Sequence, residues 1–258
     1  MILSEPGRTD YDLNFQFLGF DVRVHPGFFL ISMLFGSSFV ASPSINAGVS
    51  ALMGIILFFV SILVHELGHT LAFRHYGIPS RVCLYWMGGL AIPDAVGSWS
   101  QKARRGLGHK EGIVVSIAGP AAGVVLGIFF LLIIKLFASE VPSYNRWGFV
   151  PIFFDGPEFQ RNVLLYSLLE GFVQINLVYS LINLLPIYPL DGGQVARHLF
   201  EMFDKWDGVR KSLMLSIATC VICGMYSLNA KMTFLAIFCF YFAYQNFQQL
   251  NPGTGRRW

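Results

Sequence analysis

Apolar residues are arranged along this chain in long runs rather than in the narrow periodic stripes of soluble amphipathic helices. A helix needs roughly 20 such residues to cross the hydrocarbon core of a bilayer, so these runs are candidate membrane spans. The first is short for a full crossing, and the second ends at a helix-stopping Gly77 and Pro79. The six candidates are residues 28–40, 49–75, 112–137, 163–185, 212–226 and 232–244.

Two stretches outside these runs have features of extended chain. Residues 11–25 alternate apolar and polar side chains in places, which predicts one or two short strands at the membrane surface. Residues 81–93 are rich in β-forming side chains around Gly88 and Gly89, which predicts a hairpin or re-entrant strand pair. A free edge at Gly88, Gly89 and Leu90 could pair with an extended peptide; a purely structural hairpin is the alternative.

Composition agrees with a membrane protein. Hydrophobic residues make up 54% of the chain and charged residues only 13%, with a mean hydropathy of +0.56. We therefore expect an α-helical polytopic membrane protein of about six transmembrane helices with a small membrane-associated β-sheet or hairpin. Residues 1–258 are predicted to form one integral-membrane domain, with surface strands in 1–27, a transmembrane core in 28–244 and a tail in 245–258.

Charge and cysteine content exclude several functions. The net charge of +3 comes without a basic tract or aromatic platform, which argues against nucleic acid as a partner. The four cysteines have no disulfide-like spacing, and Cys220 and Cys223 fall inside an apolar run, where packing is their expected role. No cleavable signal peptide is indicated at the N-terminus.

The second run carries the chain's most informative motif, His65-Glu66-Leu67-Gly68-His69. On a helix, His65 and His69 lie on one face, so both imidazoles can hold one Zn²⁺ while Glu66 handles the proton of a water. The alternative is that the three side chains only line a helix interface. Ionisable groups in so apolar a segment are costly, which favours the metal-binding interpretation.

The fourth run is unusually polar and leads to a third candidate ligand. Its polar side chains are expected to face the bundle interior, and the run breaks before Asp191-Gly192-Gly193. Asp191 would complete a His₂Asp zinc site with one open position, and the glycines would let the chain bend sharply. An ordinary turn residue is the alternative for Asp191. The polar residues of the run are Glu170, Gln174, Asn176 and Asn183.

Charge asymmetry between the loops predicts the orientation. Six crossings place both termini on one side, and an N-in, C-in arrangement leaves only Lys135, Arg146, Arg161 and Lys231 outside among the 18 basic residues. Spans two and four then both end at the cytoplasmic face. This brings the HELGH motif and Asp191 to a similar depth, with the site toward the cytoplasm.

Taken together, these motifs resemble the site-2 protease family of intramembrane zinc metallopeptidases. The resemblance rests on HELGH within a span, the Gly88-Gly89 hairpin, Ala118-Gly119-Pro120, and the segment from Asn183 to Gly193. It implies a zinc ion held by His65, His69 and Asp191, with Glu66 as the base and Asn183 near the scissile carbonyl.

The expected function is a zinc metalloendopeptidase that hydrolyses peptide bonds of membrane-spanning substrates with a zinc-activated water, in regulated intramembrane proteolysis. Two alternatives remain. One is a metal or solute transporter, although no inverted repeat of interrupted spans is visible; the other is a non-catalytic homologue that binds membrane proteins. His75, His109 and His198 are expected to be interfacial residues, since three protein ligands already suffice for zinc.

Overall fold

The structure is a computed structural model that describes residues 5–40, 45–94, 106–137 and 162–251. Parts of the predicted connections between spans, and residues 252–258 of the predicted tail, lie outside the described residues. The four described strands are β1 (Leu13–Phe17), β2 (Phe20–Val24), β3 (Ser80–Tyr85) and β4 (Gly88–Pro93). The seven described helices are α1 (Pro26–Val40), α2 (Ala47–His75), α3 (His109–Phe137), α4 (Val163–Asn183), α5 (Asp191–Phe203), α6 (Gly208–Asn229) and α7 (Thr233–Leu250).

This architecture confirms the predicted fold class. Among the described residues, α2, α3, α4 and α6 are long and apolar enough to cross a membrane, and α1 is a shorter apolar helix. The run at 232–244 corresponds to α7, which begins at Thr233 and continues past residue 244 to Leu250. The described residues group into two compact units, one of residues 5–40, 45–94, 118–137 and 162–180 and the other of residues 106–117 and 181–251.

The first unit contains a four-stranded sheet in the order β1-β2-β3-β4. β1 and β2 form an antiparallel hairpin, and so do β3 and β4. The two hairpins are joined by parallel pairing of Val22 with Val82 and Val24 with Leu84, so the two predicted strand regions form one sheet. β4 is its last strand, and its outer edge has no strand partner within the described part of the chain.

The core of this unit lies between the sheet and α2. Val24, Val82 and Leu84 are fully buried and pack with Leu57 and Ile62 of α2. β-Branched side chains on the inner face of the strands suit this packing, because they fit well on a pleated, buried surface. The sheet is therefore fixed against the helix that carries the HELGH motif.

Polar side chains of α4 are buried, as the sequence predicts. Asn176 donates hydrogen bonds to Ser61 Oγ of α2 at 2.9 Å and to the Phe172 carbonyl at 2.8 Å. Gln174 donates to Glu170 Oε1 at 2.8 Å. These bonds compensate the cost of burying amides and hydroxyls in an apolar bundle.

The second unit contains α5, α6, α7 and the first turns of α3. The segment between α4 and α5 is anchored by the two last helices. The Tyr188 N–H donates to Ser216 Oγ of α6 at 3.0 Å, and Asn246 Nδ2 of α7 donates to the Tyr188 carbonyl at 2.6 Å. Ser216 and Asn246 are completely buried, so α6 and α7 hold the backbone that leads to Asp191.

The expected sharp bend at Gly192 and Gly193 is wrong. Both residues lie in the first turn of α5, and neither has the positive φ that favours glycine. A Cβ on Gly192 would overlap the Leu184 carbonyl, and one on Gly193 would lie 2.5 Å from the Ile187 oxygen. Glycine is needed because α5 packs directly on the preceding backbone.

Close packing of α1 on α2 gives a first testable prediction. A Cβ on Gly54 would lie 2.9 Å from Ser37 Cα, with the Ser37 nitrogen closer still. We expect Gly54→Ala to lower the free energy of unfolding by about 1–3 kcal/mol, the usual cost of overpacking. Thermal unfolding in detergent would measure the change.

The matched control is Gly48→Ala at the start of the same helix. A Cβ there would meet only the Asn46 side-chain oxygen, at 3.3 Å, a contact that a shift of a few tenths of an ångström relieves, and Asn46 Oδ1 can keep its hydrogen bond from the Gly48 N–H. Equal melting temperatures for the two variants would contradict the described contact between α1 and α2.

Candidate metal centre

The HELGH motif lies on a continuous, buried stretch of α2. His65, Glu66 and His69 are 2%, 4% and 6% exposed. The spacing of four residues brings both imidazoles to one face, and their Nε2 atoms are 3.3 Å apart. The two rings are mutually edge-on, with centroids 5.0 Å apart.

This separation fits two ligands of one zinc ion. Zinc binds histidine nitrogens at about 2.0–2.1 Å in tetrahedral geometry, which places two such nitrogens roughly 3.4 Å apart. The Nε2 atoms of His65 and His69 are therefore already at nearly the distance needed to bind one zinc ion. Glu66 is the adjacent residue and brings a carboxylate into the same buried region.

Neighbouring helices of the first unit shape the histidine pair. Tyr179 of α4 packs edge-on against the His65 ring, with centroids 4.9 Å apart. On α3, a Cβ at Gly119 would overlap the His69 imidazole. The absent side chain leaves the space that this ring occupies, which gives the Ala118-Gly119-Pro120 motif a structural role.

Strand β4 lies next to Glu66. A Cβ on Gly89 would lie 2.6 Å from Glu66 Cδ, with Glu66 Cγ and Oε1 closer still. Gly88 has a φ of +115°, which L-residues with a side chain rarely adopt. The two glycines therefore let the strand begin directly against the carboxylate, so the predicted strand region does lie beside the HELGH motif.

Tyr85, at the end of β3, adds a neutral polar group in this unit. Burial is the main cause that raises its pKa to about 12, and the charges of Cys83 and Glu66 act in the same direction. Tyr85 is 2% exposed and carries no charge at physiological pH.

The other two predicted site residues lie in the second unit. Asn183 ends α4, is 7% exposed, and has an Nδ2 without a hydrogen-bond partner among the described residues. Asp191 is the first residue of α5 and is half-buried. Its position follows from the anchored segment around Tyr188.

Sequence reasoning missed the residues that position the site. Tyr179, Ser216 and Asn246 belong to no recognisable motif, and only the isolated polarity of Ser216 and Asn246 in apolar helices marked them. An amide or hydroxyl in such a segment is a signal for a buried hydrogen bond.

A helical membrane fold with an HExxH motif on a buried helix is typical of integral-membrane metallopeptidases. Residues 53–223 match the family described as peptidase family M50, and the chain belongs to this family. Its relatives are named as zinc metalloproteases, and zinc is a metal that the separation of the two histidine nitrogens fits.

Individual relatives agree with this family. The chain is 25% identical over 237 residues to a zinc metalloprotease of Methanocaldococcus jannaschii, covering 90% of this chain and 59% of that protein. It is 28% identical over 189 residues to a protein of Synechocystis named among the zinc metalloproteases, covering 70% of this chain and 42% of that one. The chain thus spans about half the length of these relatives.

A solved structure shows the same fold. The site-2 protease from Methanocaldococcus jannaschii superposes with a TM-score of 0.55 at 22% identity, covering 93% of this chain and 96% of that one. The fold expected from the sequence resemblance is therefore confirmed.

The contact between Gly119 and His69 gives a second prediction. Gly119→Ala should displace the imidazole and weaken zinc binding about 10- to 100-fold, the usual effect of disturbing a ligand's support. Competition with a chromogenic chelator would measure the affinity.

Gly127→Ala on the same helix is the matched control, because a Cβ there would have only ordinary contacts of 3.4 Å. Unchanged zinc affinity in Gly119→Ala would contradict a role for this contact.

Proposed function

We propose that this protein is a zinc metalloendopeptidase that cleaves membrane-spanning protein substrates, as in regulated intramembrane proteolysis. The observation that carries the proposal is Glu66 beside two converging histidine nitrogens, on a helix apolar enough to cross a membrane. A transporter has no evident use for a carboxylate at this position, whereas peptide hydrolysis requires a base there.

Asp191 is the third zinc ligand in this proposal. Two imidazoles leave a tetrahedral zinc ion short of one protein ligand if one position is to stay open for water. A carboxylate supplies a suitable oxygen. Its place in the first turn of α5, after a segment anchored by Ser216 and Asn246, supports this role because a ligand must be held firmly.

Catalysis divides among a few side chains. When bound, zinc acts as a Lewis acid and lowers the pKa of a bound water to about 7. Glu66 takes the proton of the attacking water and later passes it to the leaving amine. Asn183 donates a hydrogen bond from Nδ2 to the oxygen of the scissile carbonyl; the absence of a described partner for that atom supports this assignment.

The substrate binds in extended form along the free edge of β4. A peptide bond within a helix is shielded by side chains and internal hydrogen bonds, so the substrate must unwind locally. Pairing with the backbone around Gly88, Gly89 and Leu90 would compensate the freed N–H and C=O groups. The contact of Gly89 with Glu66 supports this position, because it brings a paired strand next to the base.

The chain has an N-in, C-in orientation in this proposal, with the site toward the cytoplasm. The support is the distribution of lysine and arginine, which leaves four of the 18 basic residues outside if six segments cross. The bilayer is then a permanent partner, and the whole chain acts as a single integral-membrane domain.

The main experiment combines zinc content and cleavage of a single-span model substrate by the purified protein. Glu66→Gln should keep zinc and lose cleavage, because the amide cannot accept the proton. Asp191→Ala should lose about one zinc ion per chain together with cleavage. Asp207→Ala, a change of an aspartate that precedes α6, is the control for Asp191.

Two outcomes would contradict the proposal. Full cleavage by Glu66→Gln would remove the base from the mechanism. Wild-type protein that holds zinc and cleaves no membrane-spanning substrate would favour a binding or transport function.

Asn183 is tested separately. Asn183→Ala should lower kcat about 10²- to 10³-fold, the usual effect of removing an oxyanion donor, while zinc content stays at the wild-type value. Asn183→Asp should also lose activity, because a carboxylate cannot donate. Asn229→Ala, at the exposed end of α6, is the control, and equal kcat values for the two alanine variants would contradict the role.

A further inference from the structure

A second group of metal-ligating side chains lies in the second unit, apart from the HELGH motif. We call His109, His198 and Glu201 the surface triad. His109 is the first residue of α3, and His198 and Glu201 are one turn apart on α5. One ligand atom from each of the three lies within 4.8 Å of the others.

The distances within the triad suit a small metal ion. His109 Nδ1 lies 3.5 Å from Glu201 Oε2, close to the roughly 3.4 Å that separates two donors of a tetrahedral zinc ion. The two imidazole rings have centroids 5.8 Å apart.

His198 is held in place by the backbone of α3. A Cβ on Gly112 would lie 2.5 Å from His198 Cε1, with Nε2 closer still, so the ring fits only because this position is glycine. Its Nδ1 is buried and has no hydrogen-bond partner among the described residues. A buried ring nitrogen without a hydrogen-bond partner is rare, because burying it is energetically costly. Coordination of a metal ion is one way to give such a nitrogen a partner.

The electrostatic surroundings also suit coordination. Arg197 Nε donates to Glu201 Oε1 at 3.2 Å, leaving Oε2 toward His109. By binding Oε1, the arginine fixes the orientation of the Glu201 carboxylate. Residues that contact metal ligands without contacting the metal commonly have this role.

We propose that the surface triad binds a second Zn²⁺ ion through two imidazole nitrogens and one carboxylate oxygen. The ion ties the first turn of α3 to α5. Because α5 begins with Asp191, occupancy of the triad steadies the helix that carries the proposed ligand of the peptidase zinc. Zinc supply thereby regulates the enzyme through a site that takes no part in the chemistry.

The test isolates the triad from the HELGH motif. Full-length protein with His65→Ala and His69→Ala is titrated with Zn²⁺ against a chromogenic chelator, and with Co²⁺ followed by its visible absorption. This background should bind about one ion per chain. Adding His109→Ala or Glu201→Gln should weaken binding at least tenfold and remove the cobalt absorption.

His75→Ala is the matched control, since His75 is also an exposed histidine near a helix end, and it should leave binding unchanged. His109 is also exposed, so replacing it should not disturb the hydrophobic core. Equal melting temperatures of the variants and the background protein without added zinc would establish that the variants are folded. Zn²⁺ should raise the melting temperature of the background protein and should fail to do so in His109→Ala.

Two results would overturn the proposal: a background protein that binds no ion, or binding that is unchanged by both His109→Ala and Glu201→Gln. In either case His109 and Glu201 are only in side-chain contact. Neither result bears on the proposed peptidase activity, because the background variant lacks both HELGH histidines. Conversely, a failure to observe peptidase activity in the wild-type protein would leave the interpretation of this titration unchanged.

Discussion

The main constraint on this structure is the energetic cost of burying two imidazoles and a carboxylate in a helix that is otherwise apolar enough to cross a membrane. Such groups are stable there only when each is coordinated, hydrogen-bonded or closely packed. The neighbouring elements of the first unit meet this demand in different ways. Tyr179 packs against His65, Gly119 leaves room for His69, and Gly89 leaves room for Glu66.

Absent side chains therefore matter as much as present ones. Gly89 and Gly119 come from a strand and a helix far apart in the chain, and each permits contact with one member of the HELGH motif. A methyl group at either position would displace a residue of the motif. This gives the glycines of these short motifs a packing role beside HELGH, although they have no side-chain functional group.

The last two helices illustrate a related principle in the second unit. They contain no catalytic motif, yet Ser216 and Asn246 hold the backbone at Tyr188 through two buried hydrogen bonds. Amide and hydroxyl groups in apolar helices are effective anchors, because the alternative is an unsatisfied polar group. The segment that leads to Asp191 is thereby fixed from two sides.

The predictable parts of this protein are those encoded locally. The apolar runs, the HELGH face and the Gly88-Gly89 hairpin follow from spacing and composition, and all three are present. The parallel pairing of β2 with β3 joins residues about 60 positions apart, and no local pattern encodes it. Gly192 and Gly193 do not form the bend expected from the sequence but lie in the tightly packed first turn of α5. The same local sequence is compatible with a turn and with such a helix start.

The central proposal is that His65, His69 and Asp191 are the protein ligands of one zinc ion. Anomalous diffraction at the zinc edge, from crystals of the wild-type protein, tests it most directly. We expect a peak about 2.0–2.2 Å from His65 Nε2, His69 Nε2 and a carboxylate oxygen of Asp191. A peak at the histidines with Asp191 out of reach, or no peak there, would contradict it.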